Sequence, residues 1–208
     1  MTSHYRSLMF GPEVIAAQAS QGVQFRASRA EADDAPETPD TLTETEAAFI
    51  AARDSFYMAT VGSGGWPYIQ HRGGAAGFVQ VLDPRRFAFA DFRGNRQYLS
   101  LGHLAADDRA AFFFMDYPNR SRLKLLGRVA AVTPEADPAL IARLTPPEGR
   151  ARVERAMLVT VEAFDWNCPQ HITPRFTPDE IAQAVQPMRD RIATLEAELA
   201  HLKAVRTE

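Results

Sequence analysis

Three short stretches of the chain concentrate groups suited to holding an anion. His71-Arg72-Gly73-Gly74 joins a fixed cation to two glycines at the end of a β-rich run. The arginine fork matches phosphate oxygens, and residues without a Cβ let a ligand approach the backbone amides. Asp91-Phe-Arg-Gly-Asn-Arg96 runs from a strand end into a helix start. There the free amides and the positive end of the helix dipole favour negative charge. Arg93 and Arg96 add cations, and Ser100 adds a hydroxyl if its helix face turns inward. Asn119-Arg-Ser-Arg-Leu-Lys124 opens a later strand and becomes a third wall if that strand neighbours the other two. Each stretch alone reads more readily as a solvated, arginine-bearing turn than as a site. Together they point to a phosphorylated small molecule, without naming it.

That site must be local, because nothing global draws an anion. The 208 residues carry a net charge of −3, which removes the general attraction to nucleic acid or an anionic membrane. No apolar run approaches the roughly 20 residues that cross a bilayer. The first ten residues lack the apolar stretch and small-residue cleavage site of a secretion signal. Cys168 stands alone, so no internal disulfide forms, and a reducing cytoplasm is expected. Cys168-Pro-Gln-His171 has one metal-like spacing, but with no second cysteine and scattered histidines no metal site is expected.

The elements that would position these groups are mostly strands. Pro12 to Ser20 reads as a short helix, and residues 27–46 as a solvated excursion rich in Ala, Asp, Glu, Thr and Pro. Thr43-Glu-Thr-Glu46 is a capping box opening a helix to about Arg53, with Ala47, Phe49, Ile50 and Ala51 partly buried. Strands are expected at Phe56–Val61, Tyr68–Arg72, Phe78–Leu82 and Phe87–Asp91. A helix lies within 95–108, with Leu99, Leu101 and Leu104 on or near one face. Ala110–Met115 is so continuously apolar that burial on both faces is expected, and Arg122–Val132 is a long strand with a bulge or corner at Gly127. Short helices follow at Pro138–Leu144 and Glu148–Arg155, then a strand at Met157–Phe164.

Short links between strands favour antiparallel pairing, and six or seven such strands fit a small closed barrel. After Thr177-Pro-Asp-Glu180, Ile181, Val185, Met188, Ile192, Leu195, Leu199 and Leu202 repeat at spacings of four and three. This is a heptad seam that either packs on its own barrel or pairs as a coiled coil. Pro187 should kink or restart that helix near Gln186. The expected organisation is an N-terminal helix and excursion (1–43), a barrel (44–176) and a C-terminal heptad helix (177–208).

The order of several pieces resembles the pyridoxamine 5′-phosphate oxidase-like family. The pieces are Phe56-Tyr-Met-Ala-Thr-Val61, Gly65-Trp-Pro-Tyr68, Gln70-His-Arg-Gly-Gly74, Phe87-Ala-Phe-Ala-Asp91, Gly94-Asn-Arg-Gln97, Leu125-Leu-Gly-Arg-Val129 and Trp166-Asn-Cys-Pro-Gln-His171. The branch it is most similar to is described as predicted flavin-nucleotide-binding proteins. The resemblance implies a mainly β fold with peripheral helices: a six- to seven-stranded antiparallel split β-barrel, here with a long C-terminal helix. It also implies a homodimer with FMN at the subunit interface.

By the same resemblance, Gln70, His71, Arg72 and Gly73 line the ribityl phosphate and ring edge, Asn95 and Arg96 sit at the phosphate, and Arg122 or Lys124 lies near the ring or ribityl chain. Trp166 and Arg175 of a second subunit close over the flavin. The oxidase's Arg-Leu-His substrate clamp has no match, since Ile172-Thr-Pro-Arg-Phe176 stands there. Pyridoxamine phosphate oxidation is therefore not implied. The function expected is FMN-dependent oxidation or reduction of a small molecule or electron donor, with His71 a candidate proton donor. The alternative is a non-catalytic flavin carrier or sensor signalling through the C-terminal helix. A third reading is another phosphorylated or tetrapyrrole ligand.

Overall fold

The computed structural model describes residues 2–23, 38–146, 152–166 and 168–206. The chain divides into two compact units, residues 1–116 with 121–170, and residues 117–120 with 171–208.

The first unit holds one seven-stranded sheet: β1 (Ser55–Val61), β2 (Pro67–Gly73), β3 (Val79–Asp83), β4 (Arg86–Phe92), β5 (Arg109–Asp116), β6 (Ser121–Val132) and β7 (Val153–Trp166). The order is β2-β1-β5-β6-β7-β4-β3 and every pairing is antiparallel. The ladder does not close on itself, because β2 and β3 are its two edges. The open ladder is that of the expected split barrel, and not of a fully closed one.

Side chains alternate across each strand, so one face of the sheet makes the core. Phe56, Phe87, Phe89, Phe112 and Phe114 are fully buried there with Met58, Leu123, Leu125, Met157 and Val159. The rings meet edge-on or tilted at centroid distances of 5.0–6.0 Å. Burying each such side chain contributes about 1.5–3 kcal/mol, so the aromatic cluster is a large part of what holds the core together. Strand β5 departs from its expected two-sided burial. Ala110, Phe112 and Phe114 are buried, whereas Ala111 is exposed and Phe113 and Met115 are half-buried. Its outer face is apolar without being covered among the described residues.

Helices α1 (Ser3–Met9), α2 (Pro12–Ser20), α3 (Glu44–Ala51), α4 (Leu99–Ala106) and α5 (Pro138–Leu144) belong to this unit. Helix α1, unforeseen from its few apolar residues, is capped by Thr2 and buries His4 and Tyr5. The capping box at Thr43 and Glu46 opens α3, where Ile50 is buried but Ala51 is exposed. Helix α4 begins only at Leu99, since Arg96 (φ 63°) and Tyr98 (φ 53°) adopt left-handed backbone that no helix continues. Within it Leu104 is buried, Leu101 is half-buried and Leu99 is exposed.

Residues 27–37 of the expected excursion and residues 148–151 of the expected helix Glu148–Arg155 lie outside the described residues. The rest of that stretch is corrected: from Val153 the chain is strand β7, with Arg155 opposite Asp91. Pairing along all of β4 outweighs the weak local helix preference.

The second unit carries α6 (Pro178–Val205), entered through the Thr177/Glu180 capping box. The helix runs without a break through Pro187, so the expected restart near Gln186 does not occur.

The bulge expected at Gly127 is present, as the β6–β7 register passes from Leu126↔Ala163 to Gly127↔Val161 and skips Glu162. The freed Glu162 carbonyl accepts from the Asp40 amide at 2.8 Å. A Cβ on Gly127 would lie 2.8 Å from the Thr160 carbonyl oxygen, which is backbone and cannot swing aside. Gly127→Ala should therefore lower stability by about 1–3 kcal/mol, read as a lower urea midpoint at unchanged slope.

Candidate functional site

Alternation on β2 turns Tyr68, Gln70 and Arg72 to the core face, opposite Thr60, Met58 and Phe56 of β1. The loop after β4 and the start of α4 bring Asn95, Arg96 and Ser100 to the same place. These residues, with Asp91 and Tyr98, line a polar cleft of about 60 Å³. Ser100 is buried and its hydroxyl donates to Gln70 Oε1 at 3.0 Å, which ties α4 to β2. His103, one turn later, meets the Thr60 hydroxyl at 3.0 Å and packs edge-on against Tyr68. Asn95 Oδ1 accepts from the Gln97 amide at 3.1 Å and shapes the loop.

The electrostatic centre of the cleft is Asp91, which is buried. Arg72 Nη1 donates to its Oδ1 at 2.7 Å, and Arg155 Nη1 lies 3.5 Å from its Oδ2. Arg155 also reaches Glu154 at 3.3 Å and lies over the Tyr98 ring, whose hydroxyl donates to Glu154. Two donors in this network, Arg72 Nε and Arg155 Nη1, are buried with no hydrogen-bond partner. Such groups are costly to leave unmatched, and of the two only Arg72 lines the cleft, where an entering acceptor would satisfy its Nε. The donor set, with Arg96 at the rim, therefore fits a phosphate-bearing ligand.

The structure brings together five of the residues singled out from sequence: Gln70, Arg72, Asn95, Arg96 and Ser100. It places the others elsewhere. His71 points to the opposite face of β2, with its ring against Tyr57 at 5.5 Å. Gly73 ends β2 and does not line the cleft. Lys124 pairs with the buried Asp165 at 2.7 Å and lies over the Tyr5 ring. Arg122, on the same face of β6, keeps a buried Nε without a hydrogen-bond partner. Trp166 is held within its own unit, as its indole donates to Glu46 at 2.7 Å and its ring meets Phe49 edge-on. Arg175 belongs to the second unit and lies over the Tyr117 ring at 4.9 Å.

Sequence reasoning had given no site role to Asp91 or Tyr98, and had put Arg155 on a helix. The usable signal was the pairing of β4 with β7, which sets an acid opposite a base. Among the described residues no group of three or more His, Cys, Asp or Glu is placed to hold a metal ion. No described helix is long and apolar enough to cross a membrane.

The fold is an open antiparallel barrel with an arginine-bearing cleft beside its core. The sequence model of pyridoxamine 5′-phosphate oxidase matches residues 42–163, more than half of the chain, and the protein belongs to that family. No curated protein matches in sequence. Similar solved structures include HupZ of Group A Streptococcus (15% identity, 65% of this chain and 99% of that one, TM-score 0.48). A putative pyridoxamine 5′-phosphate oxidase of Lactobacillus delbrueckii is another (18%, 60% and 93%, 0.46). A third is an FMN-binding protein of Syntrophomonas wolfei (11%, 58% and 81%, 0.43).

Two consequences follow for stability. Asp91→Ala leaves two guanidinium groups facing each other and should cost about 3 kcal/mol in chemical denaturation, more than Arg155→Ala. Burial raises the Glu46 pKa, but hydrogen bonds from Thr43 and the Trp166 indole outweigh it and hold the carboxyl below its ordinary value of 4.5. A depressed folded-state pKa stabilises above the unfolded value and is lost as pH falls through the folded one. Acidification below pH 4.5 should thus weaken the wild type and shift its tryptophan emission, and Glu46→Gln should blunt that acid sensitivity.

Proposed function

We propose that the cleft holds the phosphate of FMN, and that the protein is a flavin-dependent oxidoreductase acting on a small molecule. The observation that carries this reading is the convergence of Gln70, Arg72, Asn95, Arg96 and Ser100 on one cleft, with the buried Arg72 Nε unmatched there. Membership of the family supports the choice of ligand. A cleft of about 60 Å³ has room for a phosphate group rather than for a whole flavin.

In this reading Arg72 and Arg96 take the phosphate charge, and Asn95 shapes the loop around it. Asp91 is a positioning residue that holds the Arg72 fork in place. Gln70 and Ser100 lock the helix start against the strand. Bound flavin would supply the electron or hydride transfer, so no side chain of the cleft is required as an acid or base.

The working form is a homodimer with the flavin at the subunit interface, in the cytoplasm. An apolar groove of about 590 Å³ supports the dimer. It is lined by Ala59 and Val61 of β1, Pro67 of β2, Ala111 of β5 and Leu126 of β6, with Met9 of α1. Ile69, paired with Ala59 beside it, is 66% exposed and extends this apolar surface.

The purified protein should carry or take up FMN, seen in its visible spectrum. Arg96 is exposed, so Arg96→Ala should weaken FMN by about 1.5–3 kcal/mol and leave the unfolding midpoint unchanged. Arg72→Ala should lose both affinity and stability, because it also strips Asp91 of its partner. Failure to bind added FMN would refute the reading. Turnover of NAD(P)H or pyridoxamine phosphate by the loaded protein separates an enzyme from a carrier.

A further inference from the structure

Helix α6 carries a stripe that its own unit does not cover among the described residues. Ile181, Met188, Ile192, Leu195, Leu199 and Leu202 leave 44–65% of their surface exposed. They recur, with half-buried Val185, at alternating spacings of four and three along 28 residues of unbroken helix. That period keeps one seam facing a partner helix over the whole length. Exposing so many large apolar side chains on one line is unfavourable, and a second helix of the same pattern removes it from water.

We propose that α6 pairs with α6 of a second copy of this chain as a parallel, in-register, two-stranded coiled coil. Val185, Ile192 and Leu199 take the a positions, and Ile181, Met188, Leu195 and Leu202 take the d positions. β-branched Val185 and Ile192 at a, with Leu195 and Leu202 at d, favour two parallel strands over the central part of the seam. The flanking charges decide the direction. In parallel register Arg191 at g meets Glu196 of the partner subunit at e, and Glu198 at g meets Lys203 of the partner subunit at e. The two-fold axis repeats both pairs.

An antiparallel pairing centred on Ile192 and Leu195 also brings arginine to glutamate. However, it sets Ile181 against Arg206 and Lys203 against Ala182. Parallel pairing keeps all seven apolar layers and both kinds of ion pair. Pro187 falls at the outward c position, so its missing N–H leaves the Gln183 carbonyl on the outer face, away from the seam.

The inference is independent of flavin binding and is tested on the full-length chain. In a Cys168→Ser background, Leu202→Cys places a thiol in a d layer, and Ala197→Cys places one at the outward f position. In a glutathione buffer L202C should form the intermolecular disulfide at least about tenfold more readily than A197C, because only seam positions meet within disulfide reach. Equal cross-linking at both positions, which barrel-driven proximity alone would produce, overturns the proposal. So does no cross-linking at either, as when the helix stands alone or docks on its own barrel. On the L202C chain, Arg191→Glu should lower the disulfide equilibrium constant about tenfold. Adding Glu196→Arg should restore it. In the antiparallel arrangement the double change instead sets the carboxylate introduced at position 191 against Glu198. It also sets the guanidinium introduced at position 196 against Arg189, so failure to restore overturns the parallel coil.

Discussion

The Asp91 carboxylate sits between two guanidinium groups, Arg72 from β2 and Arg155 from β7, at the mouth of the aromatic core. Strand β2 is one edge of the open sheet. The β3 ladder ends opposite Phe89, so at the level of Asp91 strand β4 is the other edge. The Arg72–Asp91 pair therefore spans the split in the barrel where no backbone hydrogen bonds can. It lies partly out of water, with side-chain exposures of 15% and 13%, so the attraction is stronger there than between surface charges. In the proposed function the same arginine also faces the ligand, which would make the clasp across the split and anion binding depend on one side chain.

Around that clasp the sheet divides its two faces sharply. Inward side chains form a phenylalanine-rich core that needs no partner. Outward ones on β1, β5 and β6 leave a groove that is apolar yet uncovered. Trp166 and Glu46 show the same economy at the other side of the barrel. A buried acid is kept charged by an indole and a helix cap, and in return it anchors the last strand to α3.

Much of the fold was legible because its signals are local. All seven strands lie within a few residues of the expected spans, and the capping boxes at Thr43 and Thr177 open helices where expected. The Gly127 bulge was legible because a glycine inside a long strand has few other reasons to be there. The misses have physical causes too. Helix α1 is held by tertiary burial of His4 and Tyr5, and residues 153–155 become strand because β4 offers them partners. Half of the site could be read directly, since alternation on β2 already puts Gln70 and Arg72 on one face and His71 on the other.

Periodicity, caps and turn residues are properties of neighbouring residues, so the sequence by itself determined the elements, their antiparallel pairing and the heptad stripe of α6. Which arginine meets which acid is a property of strands that lie far apart in the chain. Arg72, Asp91 and Arg155 become one cluster only when the sheet curls about its aromatic core. By the same curl Lys124 is given to Asp165 and Trp166 to Glu46. The types and order of the basic residues were written in the chain, and the tertiary structure decided which of them share a cleft.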